Sequence, residues 1–190
     1  MNKKQLSDND LNLLKEFIMT FLSTSGNGYA LGVPKDMRVG VPDENGWCQW
    51  KATDSEITLQ DIKNIEENLG FKFPLLFSEY LTYKSLLMTD FIVRLPQTPT
   101  DFPLLELNQY IEMYQNRFKN IGLFPFAFDG NDAGPVCFDL KSPTEDGTDY
   151  KIVIFDYSIS IEDSNYRGDY AWRSFRDLVT DITEEMKSYI

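Results

Sequence analysis

The stretch I-G-L-F-P-F-A-F-D-G-N-D-A-G-P-V-C-F-D-L, Ile121 to Leu140, carries the architecture in miniature. Phe124, Phe126 and Phe128 alternate, and so do Val136, Phe138 and Leu140, while Asp129-Gly130-Asn131-Asp132-Ala133-Gly134 between them supplies turn residues. The spacing predicts an antiparallel hairpin. Downstream, Asp146-Gly147 breaks the chain before Ile152-Val153-Ile154-Phe155, which is apolar on both faces, as a strand inside a sheet must be. Ser174 with Asp177 then forms a capping-box pattern, and Phe175, Leu178, Val179, Ile182 and Met186 follow on one helical face.

Upstream of the hairpin, Leu104 to Phe118 reads as a helix entered through Asp101 and Pro103, and Phe91 to Leu95 as a strand. Thr58 with Asp61 marks another capping box. Ile62, Ile65 and Leu69 line the helix it opens, Gly70 is a natural C-cap, and Pro74 suits the start of a further helix bearing Phe77, Tyr80 and Leu81. Residues 25 to 46 are rich in Gly and Pro and close on Asn45-Gly46, ahead of a short extended segment holding Trp47 and Trp50. Before them, Leu11, Leu14, Ile18, Phe21 and Leu22 predict an amphipathic helix whose apolar face must dock. Helices at both ends with strands clustered between them argue for an α+β fold, helices packed on a largely antiparallel β-sheet. We expect a single domain over 1–190, with 1–50 as a helix-and-loop extension and 51–190 as the core.

Composition removes several kinds of function. The 190 residues include no histidine, which excludes Ser-His-Asp and Cys-His catalysis and imidazole metal sites. A net charge of −12, from 18 Lys plus Arg and 30 Asp plus Glu, repels phosphate backbones and argues against direct nucleic-acid binding. No stretch approaches the roughly 20 apolar residues of a membrane span, and the Met1-Asn2-Lys3-Lys4 start lacks the uninterrupted apolar run of a signal peptide. Two cysteines, Cys48 and Cys137, make no disulfide framework. The expectation is a cytoplasmic protein with no cofactor and no membrane association.

The remaining constellations are weighed one by one. Asp129 to Gly134 partly matches a calcium loop, but position twelve is Leu140 instead of Glu and position five is Ala133, so a plain turn is the better reading. Cys137 shares a strand face with Asp139, and an acid does not activate a thiol. Neither a dinucleotide fingerprint nor a P-loop is present, and close carboxylate pairs such as Asp129 with Asp132, or Glu162 with Asp163, are expected by chance among 30 acids. No enzyme emerges. The acid is local, however: from Asp129 onward there are 14 acidic and 6 basic residues, so this third holds −8 of the −12. Here acids alternate with Tyr157, Tyr166, Tyr170 and Trp172, a mixture suited to a basic protein partner, with simple solvation as the competing reading. The candidate partner-binding residues are Asp129, Asp132, Asp139, Asp156, Glu162, Asp163, Asp169, Tyr166 and Trp172.

Ile57 to Pro74 with the helix through Phe77 to Leu81, then Ile121 to Gly130 with Cys137 to Leu140, then Val153 to Tyr157 with Ser174-Phe175, resemble in this order the blocks of the SUKH superfamily of Smi/Knr cell-wall-assembly-regulator type. Together they cover residues 57 to about 183. The resemblance implies an α+β domain that is mostly without enzymatic activity. In bacteria it implies an immunity protein that neutralises a toxin, often a nuclease, delivered between competing cells; in fungi, an intracellular regulatory or scaffold module of cell-wall glucan synthesis. The chain departs from the common pattern at Tyr83-Lys84-Ser85-Leu86, where an Asn-Gly turn is frequent, and at Asp156-Tyr157-Ser158, where many members carry Asp-His-Glu. No role of that histidine transfers here.

Overall fold

The computed structural model describes residues 6–24, 28–87, 91–162 and 166–189, except for the side chains of 160–162. Its contacts divide the chain into two units: residues 1–88, 97–104 and 179–190 in the first, 89–96 and 105–178 in the second.

In the first unit Ser7 and Asp10 cap each other, the Asp10 N–H donating to Ser7 Oγ at 3.2 Å and Ser7 Oγ to Asp10 Oδ2 at 2.6 Å. They open α1 (Asp8–Thr24), which buries Leu14, Phe17, Ile18 and Phe21. The dock that this apolar face requires is supplied by β3 (Trp47–Trp50) and α3 (Leu75–Tyr83): Phe21 lies 6.3 Å from Trp50 and Phe17 lies 6.3 Å from Tyr80, centroid to centroid. β3 is the middle strand of a three-stranded antiparallel sheet, flanked by β1 (Tyr29–Leu31) and β2 (Arg38–Val39). The Asn45-Gly46 turn signal falls on the entry to β3, where Gly46 has φ +85° and its N–H donates to the Asp43 carbonyl at 3.0 Å.

α2 (Leu59–Leu69) carries the capping box in full, with Thr58 Oγ1 accepting from the Asp61 N–H and the Asp61 carboxylate accepting from the Thr58 N–H, and it ends at Gly70 in left-handed conformation, φ +80°. Glu66 then accepts the Phe73 N–H at 2.8 Å, which turns the short link toward α3. After α3 the chain forms β5 (Lys84–Ser85), paired with β4 (Thr53–Asp54) and braced by Lys84 Nζ on Asp54 at 2.7 Å.

The second unit is built on a five-stranded, wholly antiparallel sheet in the order β10-β9-β8-β7-β6. Its strands are β6 (Val93–Arg94), β7 (Leu123–Asp129), β8 (Pro135–Pro143), β9 (Tyr150–Ile154) and β10 (Asp169–Trp172). The expected hairpin is β7 with β8. Alternation predicts one buried face; in fact Leu123 to Ala127 and Pro135 to Asp139 are all buried. Two helical segments cover this pair instead of one. Tyr110 and Tyr114 reach Phe128 and Phe124, while Phe175 reaches Phe126 and Phe138, whose own rings stack at 3.9 Å. The register shifts between Pro125, which faces Cys137, and Ala127, which faces Val136.

The helix expected over 104–118 starts as α4 (Leu105–Met113) and ends in a π-helical turn over Tyr114–Phe118, which buries both terminal residues of that turn. The Phe91–Leu95 strand shrinks to two residues. β9 is sandwiched inside the sheet as its apolar run requires. α5 (Tyr157–Glu162) follows it, and α6 (Phe175–Lys187) closes the fold with Phe175, Leu178, Val179, Ile182 and Met186 all buried. The chain is therefore α+β, with three antiparallel sheets among the described residues.

Candidate protein-binding surface

The pairing register gathers Asp129, Asp132, Asp156 and Asp169 at one end of the second unit's sheet, whereas Asp139 lies opposite Leu123, at the other end of β7. Asp129 closes β7 opposite Val93, Ile154 closes β9 opposite both Val136 and Asp169, and the Phe155 N–H bonds to the Pro135 carbonyl. The β7–β8 turn with Asp129 and Asp132, the β9 exit with Asp156, and the β10 entry with Asp169 thus share that end.

Within the group the acids do different jobs. Asp129 is buried, and its Oδ2 accepts the N–H groups of Asn131 at 3.0 Å and Ala133 at 3.3 Å, which holds the turn closed in the manner of an Asx turn. This is the turn chemistry that the Asp-Gly-Asn-Asp pattern asks for, and it leaves that oxygen facing backbone amides. Asp132 sits at φ +61° with its carboxylate in solvent and ion-pairs with Arg94, whose Nη2 also donates to the Asp129 carbonyl at 3.3 Å. Asp139 is buried further along β8. It pairs with Arg167 and accepts from the Lys141 N–H and from Ser142 Oγ, while Arg167 Nε donates to the Ile121 carbonyl at 3.1 Å.

Asp156, Tyr166 and Asp169 form a connected cluster. Tyr166 Oη donates to Asp169 Oδ2 at 3.1 Å and accepts from the Asp156 N–H at 3.4 Å. Asp156 caps α5, its Oδ1 accepting from Ser158 Oγ at 2.6 Å and the Ser158 N–H at 2.7 Å, and these bonds hold its carboxyl below the usual range. Burial pushes the Tyr166 phenol up, with the adjoining Asp169 carboxylate adding to the shift. Among the described residues neither Asp156 nor Asp169 takes part in an ion pair. The Tyr166 ring rests 5.3 Å from Phe155, which packs edge-on against Phe118 at 4.9 Å; Arg117 lies 4.3 Å over the Tyr157 ring beside it. Tyr170 is well exposed and Trp172 half-buried on β10, an edge strand. The Glu162 side chain and all of Asp163 lie outside the described residues.

Three participants carried no signal in the sequence. Arg94 and Arg167 lie 38 and 28 residues from the acids they neutralise, and Asp149 reaches across to the start of α6. Only the register of the sheet makes them neighbours. Both thiols are buried, and burial raises that of Cys137 well above its ordinary value, the opposite of an activated nucleophile. No helix among the described residues is long and apolar enough to cross a membrane.

The second unit thus groups acids and aromatic rings at one end of an antiparallel sheet. The model of the SMI1/KNR4 family (SUKH-1) matches residues 56–181, and the chain belongs to that family. The match takes in α2, α3, the whole five-stranded sheet and the start of α6. It confirms the resemblance read from the three sequence blocks. A search of curated proteins returned no match.

Proposed function

We propose that the protein is a non-enzymatic immunity protein that binds a basic toxin domain stoichiometrically and covers its active site, with the sheet end around Asp156, Tyr166 and Asp169 as the docking surface. The observation that carries this reading is the Asp156–Tyr166–Asp169 cluster itself: two carboxylates in no ion pair among the described residues, that of Asp169 held by the half-buried Tyr166 phenol and that of Asp156 by Ser158. Membership of a generally non-catalytic family supports a binding role. Acids fixed before encounter lose little entropy on binding, and acids without internal cations keep their field for a partner. Asp132 and Asp139, paired with Arg94 and Arg167, contribute less to that field. Such a surface imitates the phosphates that a nuclease domain holds, which makes a basic nuclease domain the fitting partner.

The test is titration against a candidate basic, nuclease-type toxin domain. The expected result is inhibition at one-to-one stoichiometry, an affinity that falls as salt rises, and a loss of about tenfold or more in an Asp156→Lys, Asp169→Lys double variant that thermal melts show to be folded despite the lost α5 cap. Binding that is indifferent to both salt and charge reversal would refute the docking surface. Failure to inhibit any such toxin would leave the cell-wall-regulator role of the family as the reading to pursue.

A further inference from the structure

The three-stranded sheet of the first unit has one finished face and one open face. Directly paired residues share a face, so Ala30 with Cys48 and Trp50 form the inner side, all three buried. The opposite side carries Tyr29, Gln49 and Val39 in one row across the sheet and Leu31 with Trp47 in the next. Tyr29, Leu31, Val39 and Trp47 are all exposed, as is Val41 just beyond β2, with relative exposures of 40 to 90 %. Five of the large exposed apolar side chains thus lie on or beside one small sheet. This sheet precedes residue 56, where the family match begins, so the family domain does not account for it.

We propose that the open face of the β1-β3-β2 sheet is a self-association surface, on which a second copy of this chain stacks about a two-fold axis. Charge selects that occupant. Two chains of −12 repel each other, and they approach closely only where local charge vanishes. Residues 28 to 52 hold three basic residues, Lys35, Arg38 and Lys51, against three acidic ones, Asp36, Asp43 and Glu44. The face is neutral as well as apolar, so it offers nothing to steer a basic toxin. A two-fold contact is self-complementary, which lets the Tyr29 row and the Leu31–Trp47 row each meet apolar surface. The exposed side chains offer on the order of 500 Å2, the size of the largest apolar patch on a typical monomer, and stacking two copies buries about 1,000 Å2, the level at which a specific though weak interface begins.

The proposal is independent of toxin binding and is tested on the full chain alone by sedimentation over about 1 to 100 µM, the range expected for an interface of that size. The expected result is a mass that doubles across the series, with a Trp47 emission that shifts to the blue as the dimer forms. Leu31→Asp and Val39→Lys each weaken association at least tenfold, and two variants on different strands guard against one that disturbs folding, which thermal melts monitor. Raising salt strengthens the dimer by screening the repulsion between copies, the reverse of its effect on an acid-to-base toxin interface. A wild-type chain that stays monomeric throughout, or a dimer that survives both substitutions, overturns the proposal.

Discussion

The Asp149 carboxylate accepts the backbone N–H of Phe175 at 2.9 Å, so the last residue of the β8–β9 connection caps the last helix of the chain across 26 residues. The same carboxylate accepts from the Tyr150 N–H at 2.7 Å. A helix N-terminus favours a negative charge, yet burial outweighs these bonds and raises the Asp149 pKa from 3.8 to about 6.

The pH dependence follows with a definite sign. Between pH 3.8 and about 6 the folded chain binds more protons at this site than the unfolded chain does, so the contribution of Asp149 to stability is full below that window and is lost as the pH rises through it. In urea titrations Asp149→Asn, which keeps the shape and drops the charge, gains on wild type as the pH goes from about 4 to 7, by at most about 3 kcal/mol. A difference that is flat across this range would show that Asp149 is ionised at its ordinary pKa.

Gly130 follows the buried Asp129 and is boxed in by backbone. A Cβ there would meet the Phe91 carbonyl oxygen at 2.4 Å and that of Ile92 at 2.8 Å. Carbonyls fixed by the β6–β7 edge cannot yield as a side chain can, so Gly130→Ala is expected to cost about 3 kcal/mol or more. Gly147, at φ +65° with open space around its Cβ position, provides the contrast: Gly147→Ala costs only the left-handed backbone strain, about 1 kcal/mol. Equal losses in thermal melts would contradict this account.

Breaking the Arg167–Asp139 pair leaves a buried carboxylate without its cation and frees the Ile121 carbonyl. Arg167→Met is expected to cost about 2–3 kcal/mol, because removing one partner of a buried pair costs more than the pair contributes. The double variant Arg167→Met, Asp139→Leu should recover much of that loss. Chemical denaturation of the two variants reads the difference directly.

Both cysteines lie in the core, Cys48 on the inner face of the small sheet and Cys137 in the middle of β8. A thiol reagent at neutral pH should label neither in the folded protein and both in denaturant. Rapid labelling of Cys137 in the native state would reveal opening of the β8–β9 ladder.

The sequence alone determined the elements whose cause is local. The Thr58–Asp61 capping box, the Gly70 C-cap, the apolar stripe of α6 and the Phe124-to-Leu140 hairpin each depend on residues a few positions apart, and their chemistry is complete in the primary structure. Family membership was legible for the same reason, since the blocks that carry it are those elements in order. Tertiary structure alone decided which of the candidate acids are buried and which stay out of internal ion pairs. Asp129 and Asp139 look like Asp156 and Asp169 in a list of residues, yet the first two are buried, one closing a turn and the other paired with an arginine 28 residues away. Likewise the sequence marks Trp47 and Trp50 only as an extended segment, and the register of β1 on β3 puts Trp47 with Tyr29 and Leu31 on the outer face and Trp50 on the inner one. Alternation says that a strand has two faces; only packing against α1, through Phe21 on Trp50, chose which one to bury.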